Sequence, residues 1–527
     1  VGSDRTFTRT EKTAYRILSG FGRVNYNYNM KYLLSFTARY DGISRLKDNR
    51  WGFFPGVSVG WNIMEEDFWK ESKVSDIVSN LKPRLSYGVN GNVNGIGNYE
   101  VYGEYAQVDA KTYGGATALY NKKLLNTNLR WEQSQTFEVG LDIGFLQNRL
   151  SFILDFYSRR TKDLLTKQAL PGYTGFSDIV TNMGTLRNSG FEAEVKANII
   201  NKGGFTWDMT ANITSVANKI IALPYNNVEN NRVGGYEVAA GKVDANGKFP
   251  TKWIAGRQEG GKLGELVGYR QQHVFKDWDD VKQHANLRVD EVANLYGPGL
   301  ADQINPATGK TYKESAGWQP IEPGDACWED INGDNIINGY DRSVMGNIFP
   351  NVTGGFSTTF GYKGLSLYAR FDYALGHTLY NDLKARSLGQ YQGQFNIITD
   401  VKDMWSEANP NSDLTKFYYA DQLAKKNITR SNNASTAADN NSSRYYEKGD
   451  YLALREVTLS YQLPKSLISK VHMTDASVYV TGQNLFYITG YGGVSPEPAV
   501  STTYGRGIDN GRYPTPRTLL FGLSLTF

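Results

Sequence analysis

Phe137-Glu138-Val139-Gly140-Leu141-Asp142-Ile143-Gly144-Phe145 and, after a short break, Leu150-Ser151-Phe152-Ile153-Leu154-Asp155-Phe156 decide the fold class. Apolar side chains take alternate places, and Glu138, Asp142, Ser151 and Asp155 fall between them. Successive side chains of a strand point to opposite faces, so each run makes one apolar and one polar face. Residues 146–149 leave room only for a tight turn. The same pattern recurs at Phe191, Ala193, Val195, Ala197 and Ile199, against Glu192, Glu194, Lys196 and Asn198. It returns at Phe205, Trp207, Met209, Ala211 and Ile213, and at Leu365, Leu367, Ala369, Phe371 and Tyr373 with Arg370 and Asp372 between.

Composition agrees. The 527 residues include 35 Tyr, 24 Phe, 10 Trp and 55 Gly, a balance that favours strands and turns. Mean hydropathy is -0.47. No window approaches the run of about 18 apolar residues that a membrane helix needs. A membrane β-barrel stays open, because its signal is alternation rather than a long apolar run. The net charge of +4, from 57 basic and 53 acidic residues, is too balanced to imply nucleic acid. The single cysteine, Cys327, allows no intrachain disulfide. His273, His284, His377 and His472 are scattered along the chain and argue against a histidine-built metal site. Val1-Gly2-Ser3-Asp4-Arg5 carries no apolar core of a signal peptide or anchor.

Alternation alone also fits a soluble β-sandwich. The runs of about 9–11 residues suit a tilted membrane strand and exceed the usual strand length. Connection lengths decide further. About thirteen strands are expected, near 15–28, 33–41, 52–63, 81–90, 134–145, 150–158, 190–199, 205–216, 351–362, 365–375, 449–463, 475–487 and 517–527. Residues 29–31, 146–149, 200–204 and 363–364 read as tight turns. Residues 91–133, 159–189, 217–350, 376–448 and 488–516 read as long connections, and only 42–51 weakens the contrast. Outer-membrane barrels have short periplasmic turns on one rim and long extracellular loops on the other, whereas a sandwich has no reason to sort its connections this way. The expected fold is therefore all-β, an antiparallel transmembrane β-barrel portion of about 13–14 strands. The segments 217–350 and 376–448 are then long extracellular loops.

One motif carries ion chemistry. Asp330, Asn332, Asp334 and Asp341, with the backbone carbonyl of Ile336, place oxygens at positions 1, 3, 5, 12 and 7 of a calcium-type loop. Asn335 stands where an EF-hand has glycine, and Asp341 is shorter than the usual Glu. A structural calcium in the loop 330–341 is the expectation, weighed against a plain Asx-rich turn. No catalytic constellation emerges. Gly91-Asn92-Val93-Asn94-Gly95-Ile96-Gly97 has no following helix to cradle phosphate, and Glu65-Glu66-Asp67 reads as a solvated turn. Tyr102, Tyr105, Tyr113, Trp405, Tyr418 and Tyr419 either stack on a ligand or pack loops together.

Four stretches resemble the SusC/RagA-type TonB-linked (TonB-dependent) outer-membrane transporters: Asn182 to Glu192; Pro323-Gly324-Asp325 with Asp330 to Asp341, Gly346 and Pro350; Asp403-Met404-Trp405 to Pro410; and Leu454 to Pro464 followed by Gly482-Gln483-Asn484-Leu485. The likeness runs from about residue 15 to Phe527. It implies a 22-stranded barrel with a plug inside, importing glycans or oligopeptides across the outer membrane of Bacteroidota. TonB would drive it, and a SusD-like surface lipoprotein would cover its extracellular mouth. No stretch here matches the family's plug, N-terminal domain or TonB-contacting segment. An N-terminal companion, as a second chain or an upstream part of the same product, is expected to complete barrel and plug. The rival readings are an outer-membrane barrel enzyme or adhesin and a soluble glycan-binding β-protein. On the transporter reading, Glu138, Asp142, Glu192, Glu194, Lys196, Arg370 and Asp372 face the lumen. Phe137, Leu141, Trp207 and Phe371 face lipid.

Overall fold

The computed structural model describes residues 12–103, 105–113, 116–121, 123–290, 294–389, 398–417, 442–497, 507–511 and 513–527. Val1–Arg5 and the aromatics Tyr418 and Tyr419 lie outside the described residues, as does the side chain of Tyr113. The chain divides into two compact units, residues 1–197 with 217–231 and residues 198–216 with 232–527.

Thirteen long strands carry the architecture. The first unit holds β1 (Ile17–Tyr28), β2 (Tyr32–Ile43), β3 (Trp51–Trp61), β4 (Val78–Asn92), β5 (Glu132–Phe145), β6 (Leu150–Ala169) and most of β7 (Asp178–Lys202). Each pairs antiparallel with the next. The second unit holds most of β8 (Phe205–Ala222), then β9 (Val352–Tyr362), β10 (Leu365–Leu375), β11 (Tyr451–Gln462), β12 (Asp475–Thr489) and β13 (Thr518–Thr526). These also pair each with the next, all antiparallel. Among the described residues β1 has the single partner strand β2, and β13 has the single partner β12.

Turn chemistry explains the short ends. Asn29 and Met30 both have positive φ (49° and 58°), as do Gly203 and Gly204 (65° and 78°) and Lys363 and Gly364 (46° and 89°). Consecutive positive φ values match the twist of a β-hairpin, so these positions lock the register of the strands they join. Asn and Gly are the residues that enter this region most readily.

The register keeps the two faces apart. In the first unit Leu85, Val139 and Phe156 are cross-strand neighbours, and so are Tyr87 and Phe137. Phe156 lies 4.7 Å from Phe191, ring to ring. In the second unit Phe356 stacks on Phe371 at 4.6 Å and Trp207 on Phe360 at 5.5 Å. Many of these side chains stay exposed, Phe156 at 60%. The polar residues expected to face a lumen sit on the other face throughout, as the pleat demands.

Two expectations need correcting. Residues 159–189 are not a long loop, because β6 and β7 run on to Ala169 and Asp178 and meet at a short turn around Gly172–Thr174. Residues 223–351 are a folded body with its own core rather than an extended loop. Short strands Glu265–Tyr269 and Arg342–Asn347 pair there, as do Gln271–Val274 and Ala326–Trp328. Tyr269, Phe275, Val281, Leu295, Ile321, Trp328 and Ile337 fill its centre. The first unit has a smaller core at the ends of its strands, made by Ile43, Leu46, Phe54, Val93, Ile96, Leu129 and Trp131. The glycine-rich run belongs to this packing: a Cβ on Gly91 would lie 2.1 Å from the Phe54 ring.

Candidate functional site

The predicted ion loop is built from its own hydrogen bonds. Asp330 accepts from the backbone N–H of Gly333 at 2.6 Å and of Asn335 at 2.8 Å. Asp334 accepts from the Ile336 N–H at 2.7 Å and from the Asn332 side chain at 3.0 Å. Asp341 accepts from the N–H groups of Ile331 at 2.8 Å and Asn338 at 2.9 Å. Asn335 takes the left-handed conformation, φ 63°, in the place of the EF-hand glycine. Asn332 and Asp341 are fully buried. Burial pushes the Asp341 carboxyl up to about 7, against its two backbone hydrogen bonds, and the charges of Asp330 and Asp334 add to the rise. Among the described residues no three carboxylate, imidazole or thiolate groups converge as a metal cage. A cation here would need the second lone pairs of these oxygens together with Asn332 and the Ile336 carbonyl.

The histidines are less scattered than the sequence suggests. His273 and His284 lie on either side of Asp280, their rings 5.8 Å apart. His273 Nε2 is 3.2 Å from the Asp280 carboxylate. Cys327 pairs in register with His273 and is buried, which pushes its thiol up to about 12. A thiol so held is core rather than nucleophile.

On the polar face of the first unit the side chains gather around Arg84. Its Nη2 lies 2.9 Å from Asp142 and 2.9 Å from Asp155, and its Nη1 3.7 Å from Glu138. Lys82 reaches Asp142 at 2.8 Å. Gly140 lies between Arg84 and Asp155 in the register. A Cβ there would stand 2.3 Å from the Asp155 carboxylate and 2.8 Å from the Arg84 guanidinium, so only glycine lets the pair close. Glu65-Glu66-Asp67 is more than a solvated turn, since Glu66 accepts from Tyr32 at 2.8 Å, Trp61 at 3.1 Å and Lys31 at 3.1 Å.

The second unit has a comparable group around Arg455. The register between β10 and β11 shifts after Arg370, and the bulge leaves Arg455 unpaired in the ladder. Such a bulge re-aims a side chain. Arg455 bridges Asp372 and Glu497 and donates to Tyr487 at 2.9 Å, while Tyr487 donates to Glu497 at 2.8 Å. Beside it the polar face is hollowed into a cavity of about 650 Å³. Asn212, Ser357, Arg370 and Asp372 line it, with Gly355 as floor. Arg370 pairs with Glu456 at 3.5 Å.

Arg84 and Arg455 were not singled out from the sequence. Arg455 had a signal: the apolar places fall on even numbers at Leu452 and Leu454 and on odd numbers at Val457, Leu459 and Tyr461. A change of parity inside one strand is what a bulge requires. Of the aromatics considered for ligand contact, Tyr102 and Tyr105 are exposed and Trp405 is half-buried.

Comparison with known proteins follows from this geometry. The family described as "TonB dependent receptor-like, beta-barrel" matches residues 1–312, more than half of the chain. The TonB-dependent receptor SusC of Bacteroides thetaiotaomicron is 31% identical over 98% of this chain and 45% of its own length. The TonB-dependent receptor P3 of Formosa agariphila is 30% identical over 97% of this chain and 45% of its own. The chain thus spans about half the length of the curated relatives it matches. Among solved structures, the RagAB peptide transporter superposes with a TM-score of 0.69 at 23% identity, covering 97% of this chain and 48% of that one. At that identity the likeness speaks for the fold.

Proposed function

Because this chain belongs to the TonB-dependent receptor-like β-barrel family, we propose that it forms part of the wall of an outer-membrane nutrient importer. That family is one of transporters rather than enzymes. The observation that carries the reading is the two-faced wall. In each unit one face of the strands is apolar and exposed, while the other holds a compact ion cluster, around Arg84 in the first and Arg455 in the second. A sheet between lipid and a wet lumen needs these two faces. On this reading Phe137, Leu141, Trp207 and Phe371 face lipid. Glu138, Asp142, Glu192, Glu194, Lys196, Arg370 and Asp372 face the lumen. The folded body 223–351 and residues 376–448 then lie outside the cell.

The single partners of β1 and β13 bear on what completes the wall. An unpaired strand edge in lipid leaves N–H and C=O groups that each cost several kcal/mol. Further strands therefore meet both edges, together with a plug, and TonB acts through the parts that the relatives possess beyond this match. The cargo is a glycan or an oligopeptide, and a SusD-like surface lipoprotein covers the outer mouth. The likeness to SusC supports that partner. The RagAB neighbour, a peptide transporter, keeps peptide cargo in view. Calcium at Asp330, Asn332, Asp334, Asp341 and the Ile336 carbonyl would hold the loop structurally. The charges of Asp330 and Asp334, which raise the buried Asp341 carboxyl, support it, since a cation would offset them.

Uptake of labelled oligosaccharides and oligopeptides tests the proposal, in cells carrying the complete protein with and without TonB. TonB-dependent uptake of either class is expected. Uptake of neither, or uptake indifferent to TonB, would overturn it.

A further inference from the structure

The second unit contains an aromatic cleft of about 570 Å³ that the transport reading does not use. Trp278 and Trp405 stand on it, with Pro323 and Pro410 as rigid rims. Trp278 opens the short helix Trp278–Gln283, whose first turn is held by the Asp277 side chain accepting from the N–H groups of Asp279 and Asp280, each at 3.0 Å. Trp278 is nonetheless 55% exposed, a large apolar residue to leave in water. Trp405 is fixed from two sides. Its Nε1–H donates to the Lys276 carbonyl at 3.1 Å. Its ring lies so close over Gly324 that a Cβ there would come within 2.6 Å, and Gly324 has φ 89°.

The charges around the cleft are mixed. Lys416 is closed against Glu322 at 2.7 Å, and Asp277 is spent on the helix cap. Exposed Lys276 and Glu407 remain, one of each sign. Two lysines against three carboxylates leave the lining slightly negative, which disfavours an anion, while the exposed Lys276 and Glu407 can donate and accept hydrogen bonds. Turns and the start of a short helix line the cleft, not an open strand, so an extended peptide finds no ladder to join. The volume falls within the range of about 300–1,000 Å³ usual for small-ligand sites.

We infer that the Trp278–Trp405 cleft is a subsite for a neutral saccharide. The C–H faces of pyranose rings lie on the indoles, where dispersion and removal of apolar surface from water favour them. Hydroxyls bridge Lys276 and Glu407. Preorganisation assists at Trp405, whose indole is already held by the Lys276 carbonyl. The inference deepens the import reading and rests on it, choosing one of the two cargo classes. Binding is measured without transport, so failure of one is distinguishable from failure of the other.

The test is calorimetric titration of the detergent-solubilised complete protein with maltohexaose, cellohexaose, laminarihexaose and mannohexaose. Hexagalacturonate and decaproline serve as the anionic and proline-helix alternatives. At least one neutral hexasaccharide should bind. W278A should weaken it by about tenfold or more, the scale expected for loss of one aromatic face. D279N, an exposed neighbour outside the cleft, should leave binding unchanged. Absence of binding by all four neutral sugars would overturn the inference. So would indifference to W278A, an equal loss in D279N, or W278A-sensitive binding of hexagalacturonate or decaproline instead.

Discussion

Phe156, midway along β6, is 60% exposed, whereas Phe275, in the body 223–351, is completely buried. The wall spreads its apolar residues over one face of a register-locked sheet. The body folds short strands around Tyr269, Phe275 and Trp328 and hides them from water. The difference shows that the medium, not the residue type, decides where apolar side chains go. On the proposed reading, lipid provides outside the wall what a core provides inside the body.

The strongest way to break this comparison is to hollow the body. Phe275→Ala should cost it about 3–5 kcal/mol. New protease cleavage should appear within 223–351 while heat-modifiability of the membrane-inserted protein persists. Loss of both together would mean that the body is not a separate core. Next comes a charge on the wall. Leu141→Arg should cost about 2–4 kcal/mol if Leu141 faces mid-bilayer, read as a lower urea midpoint for the protein folded in vesicles. Ser357→Arg, on the polar face, should cost far less. Equal costs would erase the distinction between the faces.

Calcium should act on the body alone. At about 100 times its Kd it should add roughly 2.7 kcal/mol to the body's stability, seen as chelator-sensitive protection of 223–351. Asp341→Asn should remove the chelator effect, and the same protection with and without chelator would refute the ion. The smallest change is expected at the half-exposed pair of Arg370 and Glu456. Arg370→Ala should shift stability by at most about 1 kcal/mol, and a loss approaching that of Leu141→Arg would show the polar face to be drier than proposed.

The wall was legible because two media impose strict alternation on any strand between them. Reading stopped where that constraint stops. Beyond Tyr157, β6 continues as Ser158-Arg159-Arg160-Thr161, polar on both faces, and the strand there looks like loop. The body was illegible as a fold because strands such as Arg288–Val289 are too short to display a period. The turn at 330–341 was readable from its spacing, since Asx side chains bond backbone groups a few residues away. The Arg84 group joins β4, β5 and β6 through a register that no local motif declares.

Ser215 and Val352 face each other across β8 and β9. β8 itself runs on to Ala222, and the chain beyond it returns to the sheet at Val352, on the strand next to the one it left. Such an arrangement works as a cassette. Its contents can lengthen, shrink or be exchanged for a turn such as Gly203-Gly204 without moving a rung of the ladder, because the closure cost of a loop rises only slowly with its length. The inserted body and the sheet that carries it are thus free to change separately.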